Sequence, residues 1–289
     1  MNGTDTVVVT GATGTVGRRL VGLLRDQGVA VRAVSRHSMP ATAATRGVEF
    51  IRADLRDARA VAAAIAGVER LFLATPLEED MAAVAERVAE QACRAGVRQL
   101  VRLSAFGAGD EPSTRLAEIH SRTDACLQSM GVACVLLRPN AFMQNTLTYF
   151  ADSIRRHHDF RAPQGSGRVS VIDADDIAAV AARVLSQSPP PGGCFELTGG
   201  EALSNADLAA VLTRVLGRDI RYVETELEET RATLVAAGMS PWLVDIVMDL
   251  YAFSARGGAE RVSGEVERLL GRAPKSFAAF VAENAAAFR

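Results

Sequence analysis

The residues best suited to chemistry stand in two short stretches. The first is TGATGTVG, which spaces Gly11, Gly14 and Gly17 at three-residue intervals. It follows the β-branched run TVVVT and precedes a segment with Leu20, Leu23 and Leu24 at helical spacing. Between a strand and a helix, Gly11 permits a tight turn, Gly14 lets backbone approach a pyrophosphate, and Gly17 allows the helix to pack closely on the strand. The anion then lies at the helix amino terminus, where unpaired N–H groups and a partial positive charge stabilise it by roughly 0.3–1 kcal/mol per exposed interaction. Thr13, Thr15 and Val16 complete the turn, and the pattern reads as a dinucleotide cradle.

Which dinucleotide it suits is read one strand later. A carboxylate about 20 residues beyond the turn favours NAD through the ribose 2′-hydroxyl, whereas an arginine accommodates the 2′-phosphate of NADP. The stretch AVRAVSRHS offers Ser35 and Arg36 and no carboxylate, which favours NADP(H), with Arg18 as a second phosphate contact. The alternative for Arg36 is a solvated surface position. After the next strand come Asp54 and Leu55; Asp54 either accepts from the adenine amino group or caps the helix beginning near Asp57.

The second stretch is IHSRTD, which sets His120 and Asp124 one turn apart on a helix face. An imidazole with a pKa near 6.5 gives or takes a proton at neutral pH, and a nearby carboxylate favours its charged form. His120 is therefore a candidate acid, the alternative being a local His–Asp pair on a solvated face.

The elements that must position these residues alternate regularly. AVRAVS, VEFIRADL, RLFLAT, VRQLVRLS and VACVLLR read as strands, separated by helical runs such as DARAVAAAIAGV, EDMAAVAERVAEQACRAG and residues 113–130. Parallel neighbours need a crossover, which is usually a helix, so the fold class is α/β: a doubly wound parallel (Rossmann) sheet with a smaller, mainly helical carboxy-terminal substrate lobe. The cofactor domain covers 1–140, completed by segments around 174–198 that include the returning strand CFELTGG. Residues 141–173 and 199–289 form the substrate lobe, and SPPPGGC is the clearest linker.

Composition bounds the rest. A chain of 289 residues with 48% hydrophobic residues can bury a large core. Net charge is −2 with both signs interspersed, which argues against nucleic acid as a partner. No apolar run of about 18 residues or leader-like amino terminus is seen, so a soluble, cytoplasmic protein without membrane contact is expected. Cys93, Cys126, Cys134 and Cys194 lack paired spacing and read as reduced core residues, and no metal site is expected. Asp173, Asp175 and Asp176 read as helix-capping carboxylates, and Trp242 as packing. Lysine occurs once, at Lys275, and reads as a surface residue.

Taken as a set, TGATGTVGRRL, DLRD, LVRLSAFGA, IHSRTDACLQSMGVACVLLRPNAFMQN, VSVIDADDIAAVAARVL and LGRAPKSFAAFVAENAAAF resemble the NmrA-like branch of the atypical short-chain dehydrogenases/reductases. The resemblance implies a Rossmann domain binding NAD(P) under a small lobe that covers the nicotinamide. It also implies that Ala74, Thr75, Pro76, Ser104, Pro139 and Asn140 line the nicotinamide side, with Ser104 beside His120 as a catalytic residue. Such proteins are NADPH-dependent reductases of quinones and aromatic metabolites, or silent sensors of the NADP redox state.

The chain departs from the usual short-chain reductase pattern, in which a tyrosine is followed four residues later by a lysine. His120 and Asp124 hold those places, and Tyr149, Tyr222 and Tyr251 lie elsewhere. A quinone, or a ketone hydrogen-bonded to a neighbouring phenol, spreads or pairs its own negative charge and needs no strong acid. The expected partner is thus a small aromatic molecule of that kind.

Overall fold

The structure, a computed structural model, describes residues 6–37, 47–109, 111–187 and 192–289; Ser188–Pro191 of the expected linker lie outside these. The first half alternates as read from the sequence: β1 (Val7–Val9), α1 (Gly17–Asp26), β2 (Val31–Ser35), β3 (Val48–Arg52), α2 (Ala58–Ile65), β4 (Arg70–Leu73), α3 (Met81–Ala95), β5 (Gln99–Leu103), α4 (Arg115–Ser129) and β6 (Ala133–Pro139). Beyond it come a π-helical turn (Thr146–Phe150), α5 (Ala151–His157), β7 (Asp159–Ala162), β8 (Arg168–Val169), α6 (Ala174–Leu185) and β9 (Gly193–Leu197). The remainder holds β10 (Leu203–Ser204), α7 (Asn205–Leu216), β11 (Arg221–Glu224), α8 (Leu227–Ala236), α9 (Pro241–Ala255), α10 (Glu265–Leu270), α11 (Phe277–Glu283) and α12 (Ala285–Phe288).

Seven strands form one parallel sheet in the order β3-β2-β1-β4-β5-β6-β9. The order reverses between β1 and β4, so the crevice for a ligand opens outside the carboxyl ends of those strands. Central strands covered on both faces must be apolar throughout, and Val7, Val8 and Val9 are wholly buried. Alternation along each strand divides the core. Val101, Val135 and Leu137 pack with α1 and α6, while Leu100 and Leu136 pack beneath α3 and α4.

A separate apolar cluster gathers Met143, Ile154, Phe160, Leu208, Leu212, Phe277, Phe280 and Phe288. It draws on α5, α7, α11 and α12, with two small ladders, β7–β11 parallel and β8–β10 antiparallel. The carboxy-terminal part is thus mainly helical but also carries strands that periodicity did not reveal, since two- to four-residue strands are too short to show a period. Among the described residues no helix is long and apolar enough to cross a membrane.

Three expectations are corrected by the fold. Lys275 is not a surface residue: its ammonium lies 3.1 Å from Asp173, 3.0 Å from Asp175 and 2.6 Å from Glu283, with 18% of the side chain exposed. Asp173 caps α6 as expected, but Asp175 and Asp176 instead bind Arg19, Lys275 and Arg272. Of the four cysteines only Cys134 is buried; Cys93 and Cys126 are half-buried and Cys194, near the start of edge strand β9, is exposed.

At the β1–α1 junction Gly11 adopts a left-handed φ of 60°, and a β-carbon at Gly17 would overlap the Gly11 carbonyl. The obstacle is backbone, which cannot rotate away. Gly17→Ala is therefore expected to lower stability by about 3 kcal/mol, measured by urea unfolding, the upper end of what overpacking usually costs.

Candidate active site

The glycine turn is held against the sheet by Thr10, whose hydroxyl donates to the Ala74 carbonyl and accepts from the Ala74 N–H, each at 2.9 Å. Within the turn the Gly14 N–H donates to the Gly11 carbonyl at 2.8 Å, and the Thr13 and Ser35 hydroxyls lie 3.1 Å apart. Thr13 and Gly14 are exposed, Thr15 is half-buried, and Val16 is buried in the sheet core. A helix leaves its first N–H groups unpaired unless something accepts from them. Asp57, Thr114, Asp173 and Ser204 cap α2, α4, α6 and α7. α1 has neither a side-chain cap nor an acidic residue in its first turn, which α3 shares, but α1 alone follows the glycine turn beside the β1–β4 switch point, where an anion can approach its amino terminus.

Arg36 lies at the end of β2, but its guanidinium donates to Glu78 at 2.9 Å. Arg56 binds the same Glu78 and reaches Asp80 at 2.6 Å. The two arginines hold the Glu78 carboxyl below its usual range, Arg56 contributing most. These are exposed pairs of small individual worth. Arg56, Glu78 and Asp80 are not legible in the sequence, because β3 and β4 have two strands between them and only the segments that follow them meet. Of the two roles for Asp54, capping falls to Asp57, whose carboxylate accepts from Arg59 and Ala60 N–H. Asp54 instead accepts from the Arg56 N–H at 2.9 Å, and Leu55 beside it is buried.

The end of β5 carries the larger departure. Residues two apart on a strand share a face, so Arg102 and Ser104 point, like Leu100, beneath α4, and Arg138 joins them from neighbouring β6. Their common target is Asp124. Its carboxylate accepts from the Ser104 hydroxyl at 2.8 Å, from Arg138 at 3.2 Å, and from Arg102. Asp124 and Arg102 are each only 2% exposed at the side chain.

The expected His120–Asp124 pair is therefore not formed, because the carboxylate is taken up by two arginines and a serine. His120 is 6% exposed, with no hydrogen-bond partner on Nδ1. Burial first, and then the positive charges of Arg102 and Arg138, push its pKa down to about 3. At neutral pH it is an uncharged imidazole, contrary to the charged form expected beside a carboxylate, and it cannot act as an imidazolium acid. Ser104 gives its only proton to Asp124, which leaves its oxygen as an acceptor.

Ala74, Thr75 and Pro76 are half-buried at the end of β4. The Pro139 carbonyl accepts from the Phe106 N–H at 2.9 Å. Asn140 uses its whole amide on protein: Nδ2 donates to Ser170 and the Ala259 carbonyl, and Oδ1 accepts from the Ala141 N–H, all at 2.8 Å. It fastens two later segments to the end of β6. The Tyr222 hydroxyl is committed to the Ala162 carbonyl.

The neutral His120 has a measurable consequence. Between pH 6.5, where an unfolded imidazole protonates, and about 3, the unfolded chain binds a proton that the folded chain refuses. Stability therefore falls as pH drops below about 6.5. Urea unfolding at pH 7 and pH 5 should show His120→Gln losing about 2 kcal/mol less than the wild type over that interval.

Comparison with known proteins agrees with this architecture. Residues 3–273 match the model of the NmrA-like family. The chain is 35% identical over 283 residues to an NAD(P)H azoreductase of Xenophilus azovorans, covering 98% of this chain and 99% of that one. It is also 35% identical over 286 residues to a (4-alkanoyl-5-oxo-2,5-dihydrofuran-3-yl)methyl phosphate reductase of Streptomyces griseus, with 98% and 99% covered. An NADPH-dependent quinone oxidoreductase of Escherichia coli, solved in complex with NADPH, superposes with a TM-score of 0.86 at 29% identity, over 96% of this chain and 99% of that one. With a Rossmann-like sheet, an open α1 terminus and a family match spanning nearly its whole length, the chain belongs to the NmrA-like family.

Proposed function

We propose that the chain is an NADPH-dependent reductase whose acceptor is a quinone or an aromatic, polyketide-like ketone. The observation that carries this reading is the uncapped, acid-free amino terminus of α1 behind Gly11, Gly14 and Gly17, a place where a pyrophosphate meets unpaired N–H groups. The relatives support it, since they include reductases that use NAD(P)H.

In this reading Gly11, Thr13, Gly14, Thr15, Val16 and Gly17 hold the pyrophosphate. Ser35 and Arg36 take the ribose phosphate, and Asp54 and Leu55 the adenine. Ala74, Thr75, Pro76, Ser104, Pro139 and Asn140 wall the nicotinamide. Residues 1–140 and 174–198 form the cofactor domain, and 141–173 with 199–289 the substrate lobe above it.

Bound NADPH supplies a hydride, and the work of the chain is to hold donor and acceptor in register. Ser104 serves as an acceptor for an N–H or O–H, not as a donor to a substrate carbonyl, because its proton is held by Asp124. His120 orients through a neutral ring. A site without a strong acid suits an acceptor that manages its own negative charge, as a quinone does by delocalisation, with water delivering the proton.

The test is NADPH oxidation by the purified protein against quinones and polycyclic aromatic ketones, with NADPH binding titrated in parallel. Turnover with at least one quinone or aromatic ketone is expected. Tight binding with no turnover across the panel would instead point to an NADP(H)-sensing regulatory protein. Arg36→Ala should raise the Kd for NADPH by about tenfold or more while changing that for NADH little, since only NADPH carries the phosphate. Equal losses for both cofactors would remove Arg36 from phosphate recognition.

A further inference from the structure

The cluster around Asp124 holds a charge that the scheme above leaves unused. Arg102 and Arg138 contribute two positive charges and Asp124 one negative, and all three side chains are at most 15% exposed. The other ionisable groups facing the cluster do not offset the difference. His120 is unprotonated, the Cys134 thiol is pushed up by burial and the exposed Cys194 thiol is also raised, by partial desolvation, so both are uncharged, and Glu196 pairs with Arg261. Arg102 Nη2 is buried without an acceptor, which marks the surplus within the cluster itself. One uncompensated positive charge thus lies beneath the carboxyl ends of β5 and β6, where salt screens poorly.

We propose that the Arg102–Asp124–Arg138 cluster makes the protein prefer reduced over oxidised cofactor, with Arg138 as the residue that determines the preference. The inference rests on the placement of the nicotinamide given above. Loss of a hydride, two electrons and a proton, converts the neutral dihydronicotinamide ring into a pyridinium cation. A fixed positive charge at the adjoining strand ends repels the cation and leaves the neutral ring untouched. At separations of several ångströms and an effective dielectric near 20, the discrimination amounts to about tenfold or more. The same charge attracts an acceptor that has become an anion, so on hydride transfer its repulsion of the pyridinium is offset at the quinone.

The experiment compares dissociation constants for NADPH against NADP+, and for NADH against NAD+, by fluorescence or calorimetric titration. Wild-type protein should bind each reduced form about tenfold more tightly than its oxidised partner, because the 2′-phosphate cancels within each pair. The factor should survive a rise in salt, as a buried source requires. Arg138→Gln should bring both ratios towards one, and Arg138→Lys should restore them. A wild-type ratio near one, a ratio that collapses with salt, or a folded Arg138→Gln protein with an unchanged ratio would each overturn the proposal. Should Arg138→Gln not fold, the wild-type ratios and their salt dependence decide alone. Turnover with ratios near one would sink this inference and leave the reductase standing. A clear preference for reduced cofactor without turnover would do the reverse.

Discussion

The active end of this molecule is organised by the need to neutralise one buried carboxylate. Asp124 on α4 is almost fully withdrawn from water, and an ionised carboxylate in that position is tolerable only if charge and hydrogen bonds replace the lost hydration. Arg102, Arg138 and Ser104 supply them from two adjacent strands. That requirement fixes the direction of the Ser104 hydroxyl, and the two guanidinium groups, together with burial, keep His120 uncharged. A site laid out like a proton-donating pair in the sequence becomes, in three dimensions, a field of fixed charge with no ready proton.

The same rule bears on the glycine turn at the start of α1. Asp57, Thr114, Asp173 and Ser204 close the amino termini of α2, α4, α6 and α7, and Ser240 and Ser276 those of α9 and α11, whereas α1, like α3, carries no side-chain cap. At α1 the exposed Thr13 and Gly14 leave the helix end open to an acceptor supplied by a ligand.

A chain of ion pairs joins this turn to the distant end of the polypeptide. Arg19 donates to the Thr15 carbonyl at 2.7 Å and to Asp175, which in turn meets Lys275. Lys275 also holds Asp173, whose other oxygen accepts from Gln144 at 2.9 Å. The carboxy-terminal helices are thereby fastened to the amino end of α6 and, through Arg19, to the glycine turn. Asn140 performs the equivalent task at β6, tying Ser170 and Ala259 to the strand end. The single lysine of the chain is thus a structural clamp with three acidic partners, for which most of its desolvation is compensated.

What the sequence determined alone are the features whose causes are local. Strand and helix periods depend on neighbours within about four residues, and they yielded the parallel sheet and the order of its elements. The glycine spacing depends on one turn, and Gly11 and Gly17 serve there as steric reasoning predicts. The absence of a tyrosine–lysine pair on α4 was equally plain. Tertiary structure alone decided the protonation of His120, the partners of Asp124, the salt bridge that occupies Arg36, and the three carboxylates around Lys275. Each depends on groups far away in the chain: Asp124 meets residues 22 and 14 positions away, and Lys275 meets one 100 positions away. A side chain's charge is set by how much water surrounds it and by which partners replace that water, and neither is a property of the residues beside it in sequence. Reading His120 next to Asp124 along a helix predicted a charged imidazole, and folding gave that carboxylate to two arginines first.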